Sequence, residues 1–513
     1  MASLRNLFAL SRWYRAGLGL GLLATVIAAC TLLTDRGKDQ CASDADCVAF
    51  GGHPYCQVGV CVKSGLKPED CFPGTPTTPE QFANHCSTAT CLEFNNCTEL
   101  GLCKDTDEVP PASPPPPPPD AGPPADASVL DAAVPATACV DGTRPVVVVG
   151  GSTAIQPFMS VVAPLLAPIQ IVYQPSGSCT GVDEVWNPDP TKHIVKDIAN
   201  RPALLFDTQG GSVPCTFGSP STTTLDVAVS DVFASSCNAG FATMPAHIAE
   251  YLGPIQPMTF IVQSRSTQMS ISAEKAHMVF GLGTSDPMMR AMPFVDPGLY
   301  FIRNASSGTQ QMLARAIDVD ARQWWGVDTG GSTAVLAQLK AVDPMRAARA
   351  IGILSTDFAD AQRQSLRIVA FQGKHQQCGY YPDSTVNTRD KINVRDGHYA
   401  IWGPVHFYTQ VNDSGNPSAA AGALVTRFSD PRLDKTLLDA IIKIGLVPAC
   451  AMKIQRTAEM GAITTYAPPF ECGCYFEATV PDGKAPQTCH ACSGPGDCSA
   501  DTPACNNGYC EVR

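Results

Sequence analysis

The stretch Val146-Val147-Val148-Val149-Gly150-Gly151-Ser152-Thr153-Ala154-Ile155-Gln156-Pro157-Phe158 decides the fold. The valines form a short continuous apolar run, as expected of a strand buried on both faces, and Ser152-Thr153 ends it. Pro157 sits where the first turn of a helix tolerates proline, and Phe158, Val161, Val162, Leu165 and Leu166 follow at helical spacing.

Outward from that unit the rhythm repeats. Ile171 to Tyr173 reads as a strand, Ser176-Gly177-Ser178 as a turn, and Gly181 onward as a helix. Leu225 to Val229 and Met258 to Val262 read as further strands, and Thr309 to Ile317 and Thr333 to Val342 as helices. Strand, polar loop, helix is the α/β arrangement that places ligands beyond the carboxyl ends of strands, where free helix amides attract anions.

Of four polar clusters, three fall at such junctions: the four are Gly151-Ser152-Thr153, Ser176-Gly177-Ser178, Ser230-Asp231, and Arg303 with Ser307-Gly308-Thr309. Together they supply hydroxyl and amide donors, one guanidinium and one carboxylate, the inventory of a cradle for a small oxyanion. Singly, each has a structural reading: loop chemistry, a helix cap, an ion-pair partner.

These clusters carry a resemblance. From about residue 144 to about residue 450 the chain resembles the PstS-type substrate-binding proteins of phosphate ABC transporters. The family's Gly-x-Thr turn is matched by Gly151-Ser152-Thr153, and its strand and Gly-Ser turn by Tyr173 to Ser178. Its Asp-x-x-x-Ser-Asp segment is matched within Leu225 to Asp231, and its Arg-x-x-x-Ser-Gly-Thr by Arg303 to Thr309. Ala350-Ile351-Gly352-Ile353 and Asp396-Gly397-His398-Tyr399 are supporting matches. The resemblance implies a two-lobed, periplasmic-binding-protein-like (type II) α/β domain. It implies Ser152, Thr153, Ala154 and Ser178 at the anion from the first lobe, and Arg303, Ser307, Gly308 and Thr309 from the second. Asp231 becomes the selective element, because a carboxylate accepts only from an oxyanion that brings a proton, as hydrogen phosphate does and sulfate does not.

Three departures stand beside the site. Ala154 replaces a bulky aromatic, Cys179-Thr180 replaces Ser-Gly, and nearly 40 residues are inserted between Val185 and Thr224, bringing Cys215 near the binding loops. Gly330 to Ala334 echoes Gly150 to Ala154 and reads as a helix cap, and Trp324-Trp325 as lobe packing. There is no G-x-G-x-x-G and no Gly-Lys-Ser/Thr, and the net charge of −12 argues against a nucleic-acid surface. No Ser/His/Asp arrangement or paired acid and base appears around the clusters, so no enzyme, cofactor or metal is expected.

Export is written in the rest of the chain. Arg5, Arg12 and Arg15 precede an uncharged run from Ala16 to Ala29 that stops at Cys30, a secretory leader resembling a bacterial lipobox with Cys30 as the lipidated residue. Twenty-three cysteines agree with an oxidising compartment. Cys41, Cys47, Cys56 and Cys61 are repeated in pattern by Cys492, Cys498, Cys505 and Cys510, and the spacings favour disulfides over zinc. Cys489-His490-Ala491-Cys492 spells C-x-x-C without the context of a redox site. Removing both modules leaves odd sets, Cys71 to Cys103 and Cys139 to Cys489, so full pairing requires a bridge between them, with Cys139 the nearest candidate. Residues 109–137, with Pro114 to Pro119, read as an extended spacer.

The expected order is a signal peptide 1–29, cysteine-rich modules 30–108, linker 109–137, a two-lobed oxyanion-binding domain 138–485 and a terminal cysteine module 486–513. The expected function is a lipid-anchored cell-envelope protein, on the periplasmic face or at the cell surface, that binds phosphate or a related oxyanion for an ABC permease or for sensing. The alternative is a surface interaction or adhesion lipoprotein that uses the cysteine modules and keeps the binding fold as a scaffold.

Overall fold

The computed structural model describes residues 71–104, 107–115, 137–283 and 291–513, and the backbone of 55–57 and 60–62. The leader, Cys30, Cys41, Cys47 and most of the 109–137 tract lie outside the described residues. Two compact units are present. The smaller includes the hairpin Tyr55–Gln57 with Val60–Val62, and Cys71 bonded to Cys86. The larger comprises Phe72–His85 and Ala89–Arg513.

In the larger unit the strands that position the site are, in chain order, β1 (Val146–Gly151), β2 (Gln170–Gln174), β3 (Ala203–Phe206), β4 (Ser212–Cys215), β5 (Val227–Ser230), β6 (Ile248–Gln263), β7 (Tyr300–Ile302), β8 (Ile351–Ser355) and β9 (Trp402–Gln410). The helices are α1 (Gln156–Val162), α2 (Ser178–Trp186), α3 (Gly308–Ile317) and α4 (Ser332–Ala341). One sheet runs β7-β8-β6-β9-β5-β1-β2-β3-β4, with Val327–Asp328 beyond β7 and Leu366–Ile368 paired to β6. The α/β fold class read from the sequence is the one observed.

The valine run of β1 is buried on both faces. Val147 and Val149 pack with Phe158, Met159 and Val162 of α1, while Val148 packs with Val182, Val185 and Trp186 of α2. Period-2 alternation between two covered faces leaves no place for a polar residue in the strand interior. In the second lobe, α3 buries Met312, Leu313 and Ile317 in one cluster and α4 buries Val335 and Leu339 in another. The lobes join through β6 and β9. Ile248 to Pro257 of β6 pair with β9, Met258 to Ile261 pair with β8, and β9 also pairs with β5. The insertion after Val185 becomes the β3–β4 hairpin at the sheet edge.

The chain before residue 138 contributes to this unit, across the boundaries expected at 108 and 137. Phe82, on the helix Pro79–Asn84, is buried in the second-lobe core, a burial that contributes roughly 2 kcal/mol. Cys91–Leu92 pairs with Gly379–Tyr380, and Cys91 is bonded to Cys378. The start of the expected spacer is docked, with Ser113 N donating to Gly281 O at 2.9 Å and Trp325 Nε1 to Ser113 O at 2.7 Å. The apolar stems and carbonyls of such a tract can cap a neighbouring surface, which a reading based on composition does not weigh.

The bridge required by cysteine parity is therefore Cys91–Cys378, and Cys139 instead pairs with Cys215. Cys472 and Cys474 leave in different directions, to Cys450 and Cys489. In the terminal module Cys492 pairs with Cys505 and Cys498 with Cys510, so Cys489 and Cys492 are not bonded to each other. The repeat is visible in the backbone: Cys56 faces Cys61 in one hairpin as Cys505 faces Cys510 in the other. Among the described residues no helix is long and apolar enough to cross a membrane.

Candidate functional site

Each polar cluster follows a strand: Ser152 to Ala154 after β1, Ser176 to Ser178 after β2, Asp231 after β5 and Arg303 after β7. Because β2 and β5 both pair with β1 in parallel, their carboxyl ends lie side by side. Gly151 makes the first turn possible. Its φ of 137° is open to glycine, and a Cβ there would fall 2.0 Å from Val229 O.

Asp231 is wholly buried and takes two hydroxyls, Ser152 Oγ onto Oδ2 at 2.9 Å and Ser178 Oγ onto Oδ1. It caps no helix, since the following helix Ala234–Cys237 has Phe233 at its N-cap without a side-chain bond. From the second lobe, Gly308 N at the start of α3 donates to Ser178 Oγ at 3.3 Å. A Cβ at Gly308 would lie 1.6 Å from Asp231 Oδ1, so the α3 terminus approaches the carboxylate as closely as a bare backbone allows. Ser307, the N-cap residue, and Thr309 are buried beside it.

Arg303 reaches across the cleft. Nη2 donates to Thr153 Oγ1 at 2.9 Å and to Gly330 O at 3.3 Å, and Nη1 to Ser332 Oγ at 3.0 Å. Its Nε is buried without a partner, as is Ser176 Oγ. Thr153 and Ser332 hydroxyls also meet, at 3.2 Å. Ala154 N takes up Ser152 Oγ as acceptor at 3.1 Å, and Ala154 O accepts from Gln256.

Burial sets the electrostatics. It raises the Asp231 carboxyl above the usual range, against the lowering effect of the Ser178 and Ser152 hydroxyls, the Asp231 backbone and the Arg303 charge. It lowers Arg303 to about 10, opposed by Asp231, so the guanidinium is still charged at neutral pH. Arg303, Asp231, the hydroxyls of Ser152, Thr153, Ser178 and Ser332 and the N-termini of α2, α3 and α4 thus share a space from which water is largely excluded. A small anion entering there would take the Arg303 and hydroxyl donors now spent on protein acceptors.

The cleft residues named from the sequence lie together, Cys30 lies outside the described residues, and two further residues join the cluster. Ser332, in the Gly330–Ala334 echo read as a cap, lies in the same cluster at the start of α4. The signal was present in the repeated Gly-Ser-Thr pattern. Arg201, in the insertion, has Nη1 within 3.4 Å of Pro175 O and Ser176 O and 3.3 Å of Gly330 O, so it spans the two lobes at the rim. No local pattern marked it. Cys179 is bonded to Cys237, which ties the loop carrying Ser178 to the segment after Asp231, and Cys179 N donates to Ser306 O across the cleft. Trp324 stacks on Phe280 at 4.5 Å in the second-lobe core, away from the cluster.

No family model and no curated protein sequence matches the chain. Among solved structures, the chain is similar to a putative phosphate ABC transporter substrate-binding protein with bound phosphate from Clostridium perfringens, at 13% identity and a TM-score of 0.36 over 59% of this chain and 99% of that one. It is similar to an ABC-type phosphate transport receptor from Vibrio cholerae, at 12% identity and a TM-score of 0.36 over 59% and 99%. A phosphate-binding protein from Stenotrophomonas maltophilia gives 14% identity and a TM-score of 0.36 over 59% and 90%.

Proposed function

We propose that this chain is a non-catalytic, lipid-anchored extracytoplasmic binding protein for a small oxyanion, phosphate first, which it passes to an ABC permease or whose presence it reports. The observation that carries the reading is the wholly buried Asp231 facing the α3 N-terminus, with Arg303 across the cleft and only hydroxyls and amides between. An acceptor placed among so many donors suits an anion that carries its own proton. Uptake would exchange the Arg303–Thr153 and Ser–Asp231 bonds for bonds to the ligand, with bending of β6 and β9 admitting it.

Isothermal titration of the full-length protein with phosphate, sulfate, arsenate, molybdate and tungstate tests this. Saturable phosphate binding at one site per chain, not displaced by sulfate, is expected; absence of saturable binding to all five anions removes the proposal. A second reading, a surface interaction protein on a retained scaffold, is favoured by one observation: the candidate donors already satisfy one another. It predicts that silent titration.

A further inference from the structure

Outside the cleft, the segment 72–85 meets the Asp396-Gly397-His398 turn. His85, Asp396 and His398 each offer one ligand atom, and the three atoms lie within 4.8 Å of one another. His398 Nδ1 is 2.9 Å from Asp396 Oδ1, and His85 Nε2 is 3.8 Å from Asp396 Oδ2. The other nitrogen of each ring is committed to a main-chain carbonyl: His85 Nδ1 to Phe82 O and His398 Nε2 to His85 O, both at 2.8 Å.

Those outer contacts decide what the inner atoms are. A carbonyl only accepts, so each outer nitrogen carries the hydrogen and, in a neutral ring, each inner nitrogen bears a lone pair. Two lone pairs and a carboxylate then lie close together, with the main-chain His398 N reaching Asp396 Oδ1 only at 3.4 Å. The two rings stack at 3.7 Å between centroids, which keeps their inner nitrogens within 4.8 Å of each other and of the carboxylate. A single divalent cation serves all three atoms. The outer hydrogen bonds are those that orient metal-bound imidazoles, and two imidazoles with one carboxylate suit a borderline transition ion rather than calcium or magnesium.

The surroundings hold the three residues in place. Gly397 has φ of 104°, and a Cβ there would come within 3.1 Å of Phe82 Cβ. Gln376 Nε2 donates to both Ala83 O and His398 O, and Asn84 bonds His375 O and Gln377 N. His85 and Asp396 remain 17% and 14% exposed, which lets solvent complete the coordination shell.

We propose that His85, Asp396 and His398 form a site for one divalent transition-metal ion, zinc first, which clasps the 72–85 segment to the second lobe. The test uses full-length protein stripped with EDTA and titrated with Zn²⁺ by calorimetry and with Co²⁺ by visible absorption. One ion per chain is expected, with a Co²⁺ spectrum lacking thiolate charge transfer. His398→Ala and His85→Gln should each weaken uptake by about 100-fold or more. Zinc should raise the melting temperature of the unsubstituted protein but not that of His85→Gln, a readout that stands even if His398→Ala misfolds. Absence of uptake, uptake that His85→Gln leaves unchanged, or a thiolate-type Co²⁺ spectrum overturns the proposal.

Discussion

Arg303 Nη2 of the second lobe donates to Thr153 Oγ1 of the first at 2.9 Å, a buried guanidinium aimed at a hydroxyl that an entering anion would have to displace. Hydrogen bonds to charged groups are worth about 1.5–3 kcal/mol each, and Arg303 offers two nitrogens. Arg303→Ala is therefore expected to weaken phosphate binding by at least about 100-fold, and Arg303→Lys by less, with one donor position kept. Calorimetric titration of both variants checks the order.

Asp231→Asn replaces the buried acceptor by a group that also donates. Sulfate, excluded by an unpaired acceptor, should then bind with an affinity within about tenfold of phosphate. Competition between labelled phosphate and sulfate reads this directly. If the selectivity ratio is unchanged, Asp231 is not the discriminating group.

Gly308 and Gly330 make a controlled pair. A Cβ at Gly308 would lie 1.6 Å from Asp231 Oδ1, so Gly308→Ala must push α3 away from the first lobe and abolish anion binding. At Gly330 nothing lies within 4 Å and the cost is the φ of 77° alone, about 1 kcal/mol of stability. Thermal melts and phosphate titration of the two variants should separate in the predicted sense.

Asp357 gives a pH dependence. Burial raises its carboxyl to about 6, against the hydrogen bond from Gln256 and its own backbone, with Asp360 adding to the rise. A folded-state value above the unfolded one means stability that is fully present below about 4 and lost as pH rises through 6. The loss is about 3 kcal/mol at neutral pH. Asp357→Asn, which keeps an acceptor for Gln256, should therefore melt higher than the parent at pH 7.5 and match it near pH 4.

The Cys91–Cys378 bridge closes a separation of 287 residues. Removing it by paired Ser substitution should lower stability by roughly 2–5 kcal/mol. It should also expose the chain around Cys91–Leu92 to protease, as its pairing with Gly379–Tyr380 loses its covalent support. Limited proteolysis with mass mapping is the check.

The parts of this molecule legible in its sequence are those dictated by local chemistry. The valine strand, the turn at Gly151 and the helix that begins at Gly308, one residue ahead of the expected Thr309, follow from residues adjacent to them, whereas α2 begins at Ser178 and not at the expected Gly181. Asp231 was legible as an acceptor because its neighbours are donors. What stayed hidden depends on pairings between distant residues. Phe82 reads as one aromatic in a cysteine-rich segment until Gly397 leaves room for it, and Arg201 acquires meaning only when Ser176 and Gly330 are brought together. Cysteine parity demanded a bridge between the two odd sets, yet which cysteines made it, Cys91 and Cys378 in place of the expected Cys139, was a matter of topology.

The two strands that carry the chain between lobes lie next to each other in one ladder, and that ladder slips register between Pro404 and His406. Pro404 contributes no amide hydrogen there, so the ladder of the crossing strands is interrupted at that point. On the proposed reading, cleft opening would resemble the flexing of a leaf spring with a notch rather than the swing of a hinge. The stiffness of that notch would then set how much binding energy is spent in bending, so changes there would tune affinity without altering any group that touches the ligand.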